Sequence, residues 1–415
     1  MNVFTDLESE VRGYCRTWPA VFERANGCHI YDETGREFLD FFSGAGALNY
    51  GHNHPHLKAA LLEYLSGDNV VHSLDMSTTA KREFLERFHA VVLEPRGLDY
   101  RVQFPGPTGT NSVEAALKLA RKVTGREEVI SFTNAFHGMT LGSLAVTGNA
   151  LKRGGAGVPL SHSSVMPYCD YLDEGSSLDY FELILADAGS GVDEPAAVIV
   201  ETTQGEGGLK SASESWLRRL SSICREHDIL LIVDDIQMGI GRTGPFFSFE
   251  RAGIVPDIVC LSKSLSGYGL PMAVTLFRPE LDVWEPGEHN GTFRGHNPAF
   301  VTATAALDLW EASDIASEVD AKAGMVEKEL MSLVAELDHT DHRGRGLAQG
   351  LVFDDPAVTS AVVSGCFERG LILETSGPHG EVAKLMPPVV ITEEELEHGL
   401  GTFRSAVRSA VGAVR

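Results

Sequence analysis

A chain of 415 residues can bury a large core and carry more than one structural unit. With 43% hydrophobic and 22% charged residues it matches ordinary soluble globular proteins, which excludes global disorder and a membrane-embedded architecture. A formal net charge of −24 disfavours nucleic acid and acidic membranes as partners, so any site for an anionic small molecule must be a local cluster of cations.

From Met1 to Glu10 the chain is polar and acidic, without the pattern of a secretory leader, so a cytoplasmic protein is expected. Six scattered cysteines form no C-x-x-C pair, so neither a metal site nor a disulfide framework is expected. Residues 28–40 resemble a hairpin turning at Asp32-Glu33-Thr34-Gly35. Strands are predicted at Val102–Phe104, Val129–Phe132, Ala197–Val200, Ile229–Val233, Ile258–Leu261 and Ala273–Phe277. Helices are predicted at Ser112–Val123 and Trp216–His227, where apolar residues recur every three or four positions. Such alternation implies an α/β fold, with a mostly parallel sheet covered on both faces and ligands at the carboxyl ends of its strands. From about Val301 the pattern becomes helical. An α+β region follows, with Gly344–Phe353, Val358–Arg369 and Leu371–Glu374. The expected division is a segment 1–50 packing with the small domain, a large domain 51–305 and a small domain 306–415.

Four polar stretches fall at the ends of predicted strands. In Phe104-Pro-Gly-Pro-Thr-Gly109-Thr110-Asn111, a strand enters a Gly-rich turn and then a helix, which suits a phosphate. Asn111 and Glu114 have capping-box spacing. No G-K-[ST] closes the turn, so it is not a P-loop. Phe136, followed by His137, can stack on a flat ring or simply fill core. Asp234 ends a strand buried on both faces and needs a cation, such as a protonated pyridine nitrogen, unless it caps the next turn. Gln237, three residues on, can donate to a ring oxygen. Lys263 follows the strand Ile258–Leu261 in a Ser/Gly-rich turn, where burial suits it to Schiff-base chemistry, although taken alone the stretch more often means a lysine paired with a carboxylate. Together these stretches supply, in chain order, a phosphate cradle, a stacking ring, a pyridinium partner and an imine-forming lysine.

Val233-Asp-Asp-Ile-Gln-Met-Gly-Ile-Gly-Arg-Thr-Gly, with Pro256-Asp-Ile-Val-Cys-Leu-Ser-Lys263, resembles the signature of the class III (ω-)aminotransferases. The resemblance extends over nearly the whole chain, through Glu201-Thr-Thr-Gln-Gly-Glu-Gly-Gly and His289-Asn-Gly-Thr-Phe-Arg-Gly-His. It implies the type I, aspartate aminotransferase-like fold with pyridoxal 5′-phosphate (PLP) as cofactor. Lys263 would then hold the cofactor and move the proton, and Asp234 would pair with the pyridine nitrogen. Gln237 would contact the phenolic oxygen, Gly109 and Thr110 the phosphate, and Phe136 the ring face. Thr292 would reach the phosphate of the neighbouring subunit's cofactor, making a homodimer the smallest active unit. Glu206 falls where the family has a carboxylate near the substrate. No metal is implied.

One position departs from the broad family. In Val382-Ala-Lys384-Leu-Met-Pro-Pro, lysine replaces the arginine that grips the α-carboxylate of glutamate, and it lacks the planar fork of that residue. Lysine there, with Gly44-Ala-Gly-Ala-Leu-Asn-Tyr-Gly-His, Lys152-Arg-Gly-Gly-Ala-Gly-Val-Pro-Leu and Glu374-Thr-Ser-Gly-Pro, is similar to a narrower branch. That branch moves the amino group of L-glutamate to L-aspartate 4-semialdehyde and opens ectoine biosynthesis. Ornithine, 4-aminobutyrate or acetylornithine as substrates, diaminobutyrate supply for a siderophore or peptide antibiotic, and a racemase or aminomutase stay open as alternatives.

Overall fold

The computed structural model describes residues 3–172 and 176–414, so Met1, Asn2 and Arg415 of the expected terminal segments lie outside it. Its centre is a seven-stranded sheet in the order Arg101–Gln103, Val274–Phe277, Ile258–Leu261, Leu230–Asp234, Ala197–Val200, Val129–Phe132, Ser163–Met166. Val274–Phe277 runs antiparallel to both of its neighbours, and the other pairs are parallel. Five central strands are buried at every position. Apart from Ser131, Thr275 and the terminal Asp234, each is a run of apolar residues, as expected where elements cover both faces. The edge strand Ser163–Met166 lacks such a run and is only partly buried, which hid it from the periodicity.

Helix Gly109–Thr124 lays Val113, Ala116, Leu117 and Ala120 against Val129, Ile199, Ile232 and Ile258 of this sheet. It ends at Gly125, whose φ of +69° suits glycine and whose N–H closes on the Arg121 carbonyl. Its start corrects the expected capping box. The cap is Thr108, whose N–H and hydroxyl both donate to Asn111 Oδ1, at 3.2 and 2.8 Å. Glu114 instead accepts from the hydroxyl of Thr140 and the N–H of Ser143.

The N-terminal strands Phe22–Asn26, His29–Asp32 and Glu37–Asp40 share a sheet with Leu371–Ile372 from the other end of the chain. Between the second and third, Asp32 Oδ1 accepts from Thr34 and Arg36 N–H, forming the expected turn. The helical pattern begins at Asn297, with Asn297–Ala312 followed by Ile315–Glu336. A last sheet orders Thr340–Arg345, Ala348–Phe353, Val382–Leu385 and Glu374–Ser376, with helices Pro356–Glu368 and Glu393–Val414 alongside. In its register Glu374 lies directly opposite Lys384. Among the described residues, no helix is long and apolar enough to cross a membrane.

Candidate active site

Lys263 leaves strand Ile258–Leu261 with a φ of +47°, a left-handed backbone that costs a non-glycine residue energy and concentrates at functional sites. Neighbouring serines hold the turn. Ser262 donates to the Met272 carbonyl at 2.8 Å, and Ser264 to the Gly46 carbonyl at 2.7 Å. Burial pushes the Lys263 pKa down. Glu206 opposes that shift and the positive charge of Lys384 adds to it.

Gly109, Thr110, Phe136, Asp234, Gln237 and Lys263 line one cavity of about 180 Å³, and Glu206 lies on its wall. The strand ends thus bring together seven of the residues singled out in the sequence. Lys384 stands behind Glu206, its Nζ 3.0 Å from Glu206 Oε1, with no exposed side-chain surface. Thr292 is not part of this cavity. It is exposed, and its carbonyl accepts from His72 Nε2 at 2.7 Å.

Asp234 is the last residue of its strand. Its Oδ2 lies 2.7 Å from His137 Nδ1, and its Oδ1 accepts from Ile236 N–H at 3.2 Å. Burial opposes protonation of His137, but the hydrogen bond and charge of Asp234 prevail and its pKa is raised. In the sequence His137 could be a satisfied core histidine; the structure makes it the group that orients Asp234. His137→Leu should cost about 2 kcal/mol, because it leaves a buried carboxylate oxygen without its donor. Thermal denaturation checks this, with a smaller loss expected for His137→Gln.

Glu201 was missed as a site residue, although it follows the apolar strand Ala197–Val200 as Asp234 follows its own. Its carboxylate accepts from Phe136 N–H at 3.0 Å and from Gly205 N–H at 3.3 Å, so it fixes both the ring and the turn carrying Glu206. Burial is the main cause that lifts its pKa to about 7, and His137 moderates it. Gln237 Nε2 donates to the Ala45 carbonyl at 2.9 Å. A Cβ on Gly205 would lie 1.5 Å from Gln237 Oε1, so a larger residue there would displace the Gln237 amide.

Lys384 bridges two carboxylates, Glu206 at 3.0 Å and Glu374 at 2.8 Å. Burial disfavours all three charges, but the lysine holds Glu206 low and the carboxylates hold Lys384 high. Glu374 is the member pushed upward, by burial and by Glu206. The Lys384 ammonium is thus held by these two carboxylates and by the Gly205 carbonyl, 3.3 Å away.

These residues fit PLP. The first N–H groups of helix Gly109–Thr124 have no carbonyl of their own helix to bond and favour a phosphate. A Cβ on Gly138 would come 2.5 Å from Thr110 Oγ1, so the cradle is tightly built. Asp234 faces the same cavity as the Phe136 ring and the Lys263 amine. Fold and site define an enzyme of amine chemistry built around a phosphate-bearing ring.

The family model "Aminotransferase class-III" matches residues 13–407. An enzyme of Streptomyces anulatus named diaminobutyrate–2-oxoglutarate transaminase is 62% identical over 411 residues, covering 98% of each chain. Two structures of ornithine aminotransferase from Toxoplasma gondii align with TM-scores of 0.87 and 0.85. Each is 26% identical over 99% of this chain, covering 94% and 93% of theirs, and one shows partial occupancy of PLP at its active site. The chain belongs to the class III aminotransferases and has their α/β fold.

Proposed function

We propose that this enzyme transfers the amino group of L-glutamate to L-aspartate 4-semialdehyde, yielding 2-oxoglutarate and L-2,4-diaminobutyrate, with PLP as cofactor. The observation that carries the amine chemistry is a single cavity holding Lys263, Asp234, Phe136 and the Gly109–Thr110 turn. The choice of substrates is supported by the full-length likeness to the Streptomyces anulatus enzyme.

When bound, PLP supplies the electron sink that makes a carbon next to nitrogen acidic. Lys263 acts as the base that removes the proton from the substrate carbon bearing nitrogen, and it would deliver that proton to the cofactor's side of the nitrogen. Its burial favours the free amine that this requires. Asp234, oriented by His137, keeps a proton on the ring nitrogen. Gly109 and Thr110 hold the phosphate, Phe136 holds the ring face, and Gln237 holds the ring oxygen. Glutamate reacts at the carbon that bears a carboxylate, and the semialdehyde at the end far from its own. Glu206 is the charged side chain placed to answer both, because it touches Lys384 and faces Lys263. Thr292 completes the site of a second subunit in a homodimer or larger homo-oligomer. The product feeds ectoine biosynthesis in the cytoplasm.

Absorbance of the purified enzyme with bound cofactor tests the substrates, adding one amine at a time. Conversion of the cofactor band by L-2,4-diaminobutyrate and L-glutamate is expected, without conversion by L-ornithine or 4-aminobutyrate. Conversion by ornithine or 4-aminobutyrate alone would reject the substrate pair and leave the amine chemistry standing.

A further inference from the structure

We infer that Lys152 grips the carboxylate distal to the reacting carbon, and that it does so for both substrates. The inference rests on the substrate pair proposed above and names the residue that recognises what the two share.

Counted from the α-carbon of glutamate, the distal carboxylate carbon is the third atom along. Counted from C4 of diaminobutyrate, the carboxylate carbon is also the third. One fixed cation at that reach therefore serves both half-reactions, whatever changes around the reacting carbon.

Few cations are placed to do this. Lys384 is held by Glu206 and Glu374 and has no exposed surface. Arg16 opens onto a cavity of about 390 Å³ bounded by Glu206 and Glu374, but its guanidinium is bound to the carboxylate and the carbonyl of Glu10. The Lys152 ammonium makes no hydrogen bond or ion pair with the described residues. Its Nζ lies 4.1 Å from the centre of the Phe136 ring, over the ring's π face. It is partly buried, and its charge helps hold Glu206 ionised.

A second cavity, of about 250 Å³, lies where the distal end of a substrate needs room. Asn134, Phe136, Asn149, Lys152, Glu206 and His379 are among its walls. It shares Phe136 and Glu206 with the cavity that contains Lys263, so the two adjoin at the ring. The backbone beneath Lys152 is fixed. Asn149 Oδ1 accepts from Lys152 N–H at 3.1 Å, Gly148 N–H donates to the Ala135 carbonyl at 2.8 Å, and Arg153 donates to the Thr147 carbonyl at 2.8 Å. The ammonium is thus carried by a segment tied to the residue preceding Phe136, while its head is left for a ligand. A lysine that served only as a lid on Phe136 would stabilise the ring equally for every amine.

The test compares paired amines on the enzyme with its cofactor. 1,3-Diaminopropane is diaminobutyrate without the carboxylate, and L-2-aminobutyrate is glutamate without its distal one. Lys152→Met is expected to lower kcat/KM for glutamate and for diaminobutyrate by about 10- to 100-fold, the worth of one charged hydrogen bond. It should leave the two truncated amines unchanged, and Lys152→Arg should restore most of the loss. Calorimetric binding of glutarate, which carries both carboxylates and cannot react, should weaken by a similar factor in Lys152→Met. Equal losses on full and truncated amines, or unweakened glutarate binding, would overturn the inference. If the unaltered enzyme turns over glutamate but not diaminobutyrate, the acceptor assignment fails alone, and the glutamate and glutarate arms still decide for or against Lys152.

Discussion

Replacing Lys263 with alanine is expected to lower turnover of glutamate and diaminobutyrate by about 10⁴-fold, while the protein still folds and still takes up cofactor. The size follows from losing a positioned base, whose contribution reaches about that factor. Cofactor binding should persist because Gly109, Thr110, Phe136 and Asp234 are untouched, but it should become removable by dialysis, since the amine is gone. A loss of less than about 100-fold in steady-state turnover would remove Lys263 from the role of base. The same lysine makes a second, opposite prediction for stability. Its pKa in the folded chain is lowered from the usual 10.5, chiefly by burial. Between the two values the unfolded chain holds the proton and the folded chain does not, so stability rises with pH across that window. Below the folded value both states are protonated, and the cost of the buried charge is felt in full. Lys263→Met should therefore stabilise the cofactor-free protein at neutral pH, with the gain fading as pH climbs toward 10.5. Urea denaturation at several pH values reads this directly.

The sheet and most of the site were legible in the sequence for one physical reason. Strands covered on both faces are largely apolar, so an ionisable residue at or just beyond the end of such a run stands out, as Asp234 and Lys263 do. The same signal was present at Glu201 and went unused, because its partners are backbone N–H groups at Phe136 and Gly205, which no side-chain motif reveals. His137 could not be separated from a core histidine, because its bond to Asp234 crosses 97 residues of chain. The cap at Thr108 was misplaced by three residues because Asn111 and Glu114 offer the same spacing as the pair that forms. Lys384 was visible as a departure, yet its meaning depends on the strand register that sets Glu374 opposite it. That pairing is a property of the folded sheet rather than of any short stretch.

Lys384→Met should be the most destabilising single change at the site, at about 3–5 kcal/mol by urea denaturation, because it strands two carboxylates that share one cation. The loss should not come from the missing attraction alone. Desolvating a charge is costly, and the lysine is what makes burial of Glu206 and Glu374 tolerable. Its own pKa is raised above 10.5, so its contribution is fully present below that value and does not vary through the neutral range. The variant should behave differently. Without the lysine both carboxylates are pushed upward, Glu374 furthest because it is already raised with the lysine in place, while Glu206 keeps the charges of Lys263 and Lys152. They then take up protons in the folded chain while the unfolded chain stays ionised, and the penalty shrinks as pH falls toward 4.5. A deficit that is large at pH 8 and small at pH 5 is the expected signature. Adding Glu374→Gln to Lys384→Met should recover part of the loss at pH 8, since one of the two stranded charges is removed. A deficit that is independent of pH, with no recovery in the double variant, would mean that Lys384 acts through packing rather than through its charge.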